Sequence, residues 1–126
     1  MSRNLFDLDG KTALITGGSR GLGLQIAEAV CDHGGNVVLV ARRQAELAAA
    51  AAGLEERGGR VATVAADLKD VAIIPDLVAE AADRFGGLDM LVNNAGTSRF
   101  APAEDHSLEA WNEVMALNMT APFMLA

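Results

Sequence analysis

The sequence has no tyrosine, one tryptophan, four phenylalanines and one cysteine among its 126 residues. Aromatic residues make up 4% of it against 51% hydrophobic, so its core must be aliphatic: valine, leucine, isoleucine and much alanine. The lone cysteine, Cys31, excludes an internal disulfide and fits a reducing compartment. With no chemical motif beside it, it reads as a small buried hydrophobe. Cations are also few, ten lysines and arginines against 17 acidic residues, which leaves a formal net charge of −7. That balance argues against nucleic acid or an anionic membrane as the main partner. No apolar run approaches a membrane span, and residues 1–10 lack the basic-then-apolar profile of a signal peptide, so a cytoplasmic protein is expected. The two histidines, His33 and His106, stand apart and form no metal or triad constellation. With no linker and no internal repeat, residues 1–126 are expected to form one domain.

Glycine is plentiful, with 13 residues, and its placement organises the chain. Lys11 to Gly23 reads K-T-A-L-I-T-G-G-S-R-G-L-G: a short apolar strand, a turn with Gly17, Gly21 and Gly23, and a helix start. Without Cβ atoms such a turn can be tight and can admit a pyrophosphate, while the helix N-terminus offers unpaired N–H groups. The spacing is T-G-x-x-x-G-x-G, and the general G-x-G-x-x-G dinucleotide fingerprint is absent. Alone, the same turn would also serve an ordinary strand-to-helix connection.

Helical spacing predicts a first helix from about Gly21 to His33, with Leu22, Ile26, Ala29 and Val30 on its apolar side. Val37 to Val40 is an uninterrupted apolar run, as a parallel strand covered on both faces requires. An alanine-rich helix follows over Arg43–Arg57 with Leu47 and Leu54 on one stripe. A third strand is expected at Val61–Ala66, and a helix at Asp70–Phe85 burying Ile74, Leu77, Val78, Ala81 and Phe85, with Pro75 tolerated in its first turn. The fourth strand is Leu88–Asn93. A loop to His106 then leads to a helix capped by Ser107, with Trp111, Val114, Met115 and Leu117 on its apolar side and a kink or early end at Pro122. Strands alternating with helices across short glycine-marked connections predict an α/β fold: a Rossmann-type doubly wound parallel sheet of order 3-2-1-4.

At the end of the second strand, where a carboxylate would bond an adenosine ribose 2′-hydroxyl, the sequence is Val40-Ala41-Arg42-Arg43. Glu46, the next acidic residue, falls inside the following helix. Arg42, with Arg20 from the glycine turn, can form charge-assisted bonds to a 2′-phosphate; solvated arginines at a helix start are the alternative. Asn93-Asn94-Ala95-Gly96 lies at the C-terminal end of a strand, where a ligand crevice opens, although on its own it would also suit a turn.

Taken together, T-G-G-S-R-G-L-G, Asp67-Leu68, Asn93-Asn94-Ala95-Gly96 and Asn118 resemble the short-chain dehydrogenase/reductase family over essentially the whole chain. The resemblance implies an oxidoreductase moving a hydride between a nicotinamide and a carbonyl/alcohol substrate, with NADP(H) preferred to NAD(H) through Arg20 and Arg42. It implies that Gly17, Ser19, Gly21, Leu22 and Gly23 surround the pyrophosphate and that Asp67, followed by Leu68, holds the adenine. Asn94, Ala95 and Gly96 would line the nicotinamide-ribose side, and Asn118 would be the catalytic-relay asparagine on a kinked helix. A homo-oligomer is a further expectation. The family's catalytic serine and Tyr-x-x-x-Lys pair do not occur here: there is no tyrosine, and the only lysines are Lys11 and Lys69. The chain is therefore expected to be the cofactor-binding half, incomplete after the fourth strand and its helix, without turnover alone. The alternatives are a non-catalytic nucleotide-binding module or a fragment without independent activity.

Overall fold

Strand β1 (Thr12–Thr16) is buried at every position, and β2 (Asn36–Ala41) at all but its last. Only a parallel strand flanked by two others and covered above and below can be so dry along its whole length. In the computed structural model, which describes residues 4–126, both strands sit inside a four-stranded parallel sheet of order β3-β2-β1-β4. The outer strands are β3 (Arg60–Ala65) and β4 (Met90–Val92). The expected sheet order is therefore found.

Alternate side chains of the strands feed two separate cores, as the pleat demands. Ala13, Ile15, Val37 and Leu39 pack with Ala27, Val30 and Cys31 of α1 (Gly21–Asp32) and Leu47, Ala50 and Leu54 of α2 (Gln44–Glu56). Leu14, Val38, Val40 and Val64 pack on the other face with Ile74, Leu77 and Ala81 of α3 (Ile74–Phe85) and with Ala121 and Leu125. Helices on both faces of a parallel sheet make the fold doubly wound and Rossmann-like.

The first helix is rotated from its expected orientation. Leu22 is 64% exposed and Ala29 faces solvent; the buried line is Gly23, Ala27, Val30 and Cys31, with Leu24 and Ile26 packed beside it. The helix leans on the sheet through its smallest residues, which lets its axis come close, and a leucine at the leading edge would hold it away. Burial raises the Cys31 thiol pKa, with Asp32 adding to the effect and Arg57 opposing it. This leaves the cysteine a packing residue with little thiolate at neutral pH.

Three further differences concern boundaries. A 3₁₀ turn (Val71–Ile73) precedes α3, so Pro75 falls in the first turn of a helix that starts at Ile74. Strand β4 is shorter than the Leu88–Asn93 expected, because beyond Val92 the N–H groups of Asn94 and Ala95 leave the ladder for the Thr16 hydroxyl. In the last segment Ser107 does cap α4 (Leu108–Met115), its Oγ accepting from the Ala110 N–H at 3.0 Å. The helix does not end there. It widens into a π-helical turn (Ala116–Thr120), in which the Ala121 N–H reaches back five residues to the Ala116 carbonyl, and continues as α5 (Ala121–Leu125). Pro122 has no N–H to give the carbonyl of Asn118 four residues earlier, and the wider turn absorbs that break. Trp111, expected on the apolar side, is 60% exposed, whereas Val114, Met115 and Leu117 are half-buried. No helix among the described residues is long and apolar enough to cross a membrane.

Candidate functional site

All four strands run parallel, so their C-terminal ends meet along one edge. The chain winds from β1 out to β3 and then returns to the other side of β1 as β4, and the connections diverge between β1 and β4. Such a switch point leaves a crevice. Here it is a cleft of about 560 Å³ lined by the turn after β1, the ends of β2 and β3, and the loop after β4, a size suited to a small-molecule ligand.

The turn after β1 is shaped from below. Gly17 donates its N–H to the Val40 carbonyl at 2.8 Å, and the Asn94 side chain donates to the Gly17 carbonyl at 3.1 Å. Its φ of +65° lies in the left-handed region, and a Cβ there would come within 2.9 Å of the Asn94 amide nitrogen. Gly21 has φ +57°, and a Cβ on it would meet no protein atom within 4 Å. Space is thus left beside the start of α1, where no side chain caps the helix and no acidic residue sits in the first turn. A helix start left open in this way carries a partial positive charge into the cleft.

Thr16 ties β1 to β4 and to the loop that follows it. It is 2% exposed, and its Oγ1 accepts from the N–H groups of Asn94 and Ala95, each at 3.0 Å, while donating to the Val92 carbonyl at 3.4 Å. Further along the same loop, the Thr97 N–H donates to Asn118 Oδ1 at 2.9 Å, and Asn118 Nδ2 donates back to the Thr97 carbonyl at 2.7 Å. Arg99 pairs with Glu113 on α4. The loop is fastened at both ends.

The structure brings Gly17, Ser19, Arg20, Gly21, Arg42, Asp67, Leu68, Asn94, Ala95 and Gly96 together around the cleft. Leu22 points to solvent, and Gly23 lies beneath the turn, where a Cβ would stand 2.3 Å from the Gly17 carbonyl oxygen. Asn118 acts at one remove, through Thr97, and its side chain would lie 3.4 Å from a Cβ on Gly96. Asp67 Oδ1 accepts from the Lys69 N–H at 3.0 Å, an Asx turn that fixes the carboxylate at the end of β3, and Leu68 is 5% exposed, anchoring that wall in the core.

Five cations (Arg20, Arg42, Arg43, Lys69 and Arg99) line the cleft, against three carboxylates (Glu46, Asp67 and Glu113), on a chain whose overall charge is −7. Arg43 is held by Glu46 and Arg99 by Glu113, whereas Arg20 and Arg42 form no ion pair among the described residues. Open helix N–H groups, glycine-made space and two unpaired guanidinium groups together suit a phosphate-bearing ligand.

The family model for short chain dehydrogenases matches residues 11–126. This chain belongs to the short chain dehydrogenase family. A short chain dehydrogenase/reductase of Colletotrichum higginsianum is 42% identical over 125 residues, covering 98% of this chain and 47% of the relative. Gluconate 5-dehydrogenase of Gluconobacter oxydans is 38% identical over 122 residues, covering 97% and 48%. Among solved structures, L-sorbose reductase from Gluconobacter frateurii, complexed with NADPH and L-sorbose, superposes with a TM-score of 0.91 at 39% identity, covering 96% of this chain and 46% of that one. The chain spans about half the length of the curated relatives it matches.

Several cleft residues of this family member were not legible as such in its sequence. Thr16 opens the T-G-x-x-x-G-x-G spacing there without a role of its own, and its hydroxyl matters because β4 ends beside it. Glu46 reads as a helix-surface carboxylate. In the structure it lies in the first turn of α2 and faces back into the cleft, with Oε2 3.5 Å from Ser19 Oγ and Oε1 3.4 Å from Arg43 Nη1. Thr97, Arg99 and Glu113 carry no motif. Position in the first helical turn after a strand end was the one available signal for Glu46.

Proposed function

We propose that the chain is the nucleotide-binding part of an NADP-preferring oxidoreductase that exchanges a hydride between a nicotinamide and a carbonyl/alcohol pair. The observation that carries the cofactor choice is two unpaired arginines, Arg20 in the turn after β1 and Arg42 at the end of β2, where Ala41 stands in place of a carboxylate. The NADPH bound to the related L-sorbose reductase supports the same reading. A bound dinucleotide supplies the hydride. This chain's own groups bind and orient it: the Gly17–Gly23 turn and the α1 N-terminus at the pyrophosphate, Arg20 and Arg42 at the 2′-phosphate, Asp67 and Leu68 at the adenine, and Asn94, Ala95 and Gly96 at the second ribose. Asn118 holds that last wall through Thr97 and sits in the π-helical turn, so its place in this reading is that of a positioning residue.

Losing one charge-assisted bond costs about 1.5–3 kcal/mol, so Arg42→Ala is expected to weaken NADPH by about one to two powers of ten and leave NADH nearly unchanged. Calorimetric titration of both nucleotides into wild type and variant checks this. Equal wild-type affinities would sink the preference.

The reading also holds that these 126 residues bind without catalysing. They contain no tyrosine to pass a proton to a substrate oxygen, and general acid–base transfer contributes about a hundredfold to ten-thousandfold. A steady-state assay with NADPH and a panel of ketones, aldehydes and ketoacyl thioesters should show no turnover above background. Rates typical of enzymes would mean that another residue supplies the proton. A homo-oligomer belongs to the proposal as well: among the described residues β4 pairs only with β1, and Trp111 and Phe123 are 60% and 82% exposed.

A further inference from the structure

Glu46 is a carboxylate of the cleft lining beside the arginines that follow β2. It reaches across between the turn after β1, through Ser19 at 3.5 Å, and the start of α2, through Arg43 at 3.4 Å. Arg20 and Arg42 line the same wall without ion-pair partners among the described residues. Glu46 stands in the first turn of α2, where a carboxylate interacts favourably with the helix N-terminus, and it lines the cleft. A carboxylate in this position does two things to an incoming phosphate dianion: it repels it directly, and it occupies Arg43, which would otherwise be a third cation free to turn toward it.

We propose that Glu46 is a specificity-determining residue that tempers the cleft's affinity for a phosphate-bearing nucleotide, setting how strongly NADP(H) is favoured over NAD(H). This rests on the dinucleotide reading given above and adds to it a negative determinant: the preference is the outcome of two free arginines working against one carboxylate. The effect is electrostatic and half-exposed, so it is modest and screened by salt.

The test is calorimetric titration of NADPH and NADH into the full chain as wild type, Glu46→Gln and Glu46→Asp, at low and at high salt. Glu46→Gln keeps an oxygen for the Ser19 hydroxyl and removes the charge. It is expected to raise NADPH affinity about two- to fivefold at low ionic strength, the range for one partly exposed charge pair, with NADH affinity unchanged. Glu46→Asp should keep the wild-type ratio, and added salt should shrink the Gln effect. Comparing two nucleotides on the same protein removes any change in the folded fraction, so a purely structural role for Glu46 would move both affinities together and overturn the proposal. An unchanged NADPH affinity in Glu46→Gln would overturn it too. Wild type that binds neither nucleotide would instead refute the dinucleotide reading, and this proposal with it.

Discussion

Gly23→Ala is expected to destabilise the fold by about 3 kcal/mol, the upper end of the cost of overpacking, and to weaken nucleotide binding at the same time. The added methyl would lie 2.3 Å from the Gly17 carbonyl oxygen, 2.6 Å from Asn94 Nδ2 and 2.9 Å from the Gly17 carbonyl carbon. None of these atoms can retreat cheaply. Gly17 is bonded through its N–H to Val40 and through its carbonyl to Asn94, so the turn is anchored to β2 and to the loop after β4 at once. The helix must therefore move, carrying its open N-terminus away from the cleft. Gly21→Val makes the informative contrast. Its Cβ meets no protein atom, and only the left-handed φ of +57° resists it, so it should fold with a smaller loss, about 1–2 kcal/mol, yet fill the space a pyrophosphate needs. Urea unfolding and NADPH titration of both variants separate the two roles. A Gly23→Ala protein with wild-type midpoint and affinity, or a folded Gly21→Val protein that binds normally, would remove the respective glycine from the role given to it here.

Thr16→Val should cost about 1–3 kcal/mol, although it preserves shape almost perfectly. The valine keeps the volume but withdraws the oxygen that accepts from two main-chain N–H groups, those of Asn94 and Ala95. The Asn94 N–H keeps the Val92 carbonyl at 3.1 Å, but the Ala95 N–H loses its acceptor, and a donor left unsatisfied away from water costs about 1–3 kcal/mol. The loss falls on the wall of the cleft, so amide hydrogen exchange at Asn94 and Ala95 should accelerate beyond what the global destabilisation explains, and nucleotide affinity should fall with it. Thr16→Ser, which restores the hydroxyl, should recover most of both. If Thr16→Val proves as stable as wild type, or if Ser fails to rescue, the hydroxyl is not what holds the loop.

What the sequence alone determined is the part that depends on local pattern. The apolar runs Ala13–Ile15 and Val37–Val40, the glycine turn and the helical spacing of Leu47 with Leu54 specify strand, turn and helix within a few residues. Alternation with short connections then leaves little choice but a parallel sheet of order 3-2-1-4. The glycines and arginines at strand ends were legible for the same reason, since in a parallel sheet every strand end opens on one edge. Tertiary structure alone decided which face of a helix turns inward and which polar atoms meet across the fold. Nothing local tells that α1 rests on Gly23 and Ala27 and leaves Leu22 in water; that follows from how near the helix comes to the sheet. The glycine motif that begins at Thr16 does not tell that its hydroxyl meets partners 78 and 79 residues away, and a place in the first turn of α2 does not by itself tell that Glu46 faces the cleft, which it does because α2 begins where β2 delivers it. The π-helical turn belongs to the same class. Pro122 announces a break, but whether the helix ends or widens there is settled by Ala121 and Leu125, which are buried in the core that Leu14 and Val38 begin and keep the chain helical through the interruption.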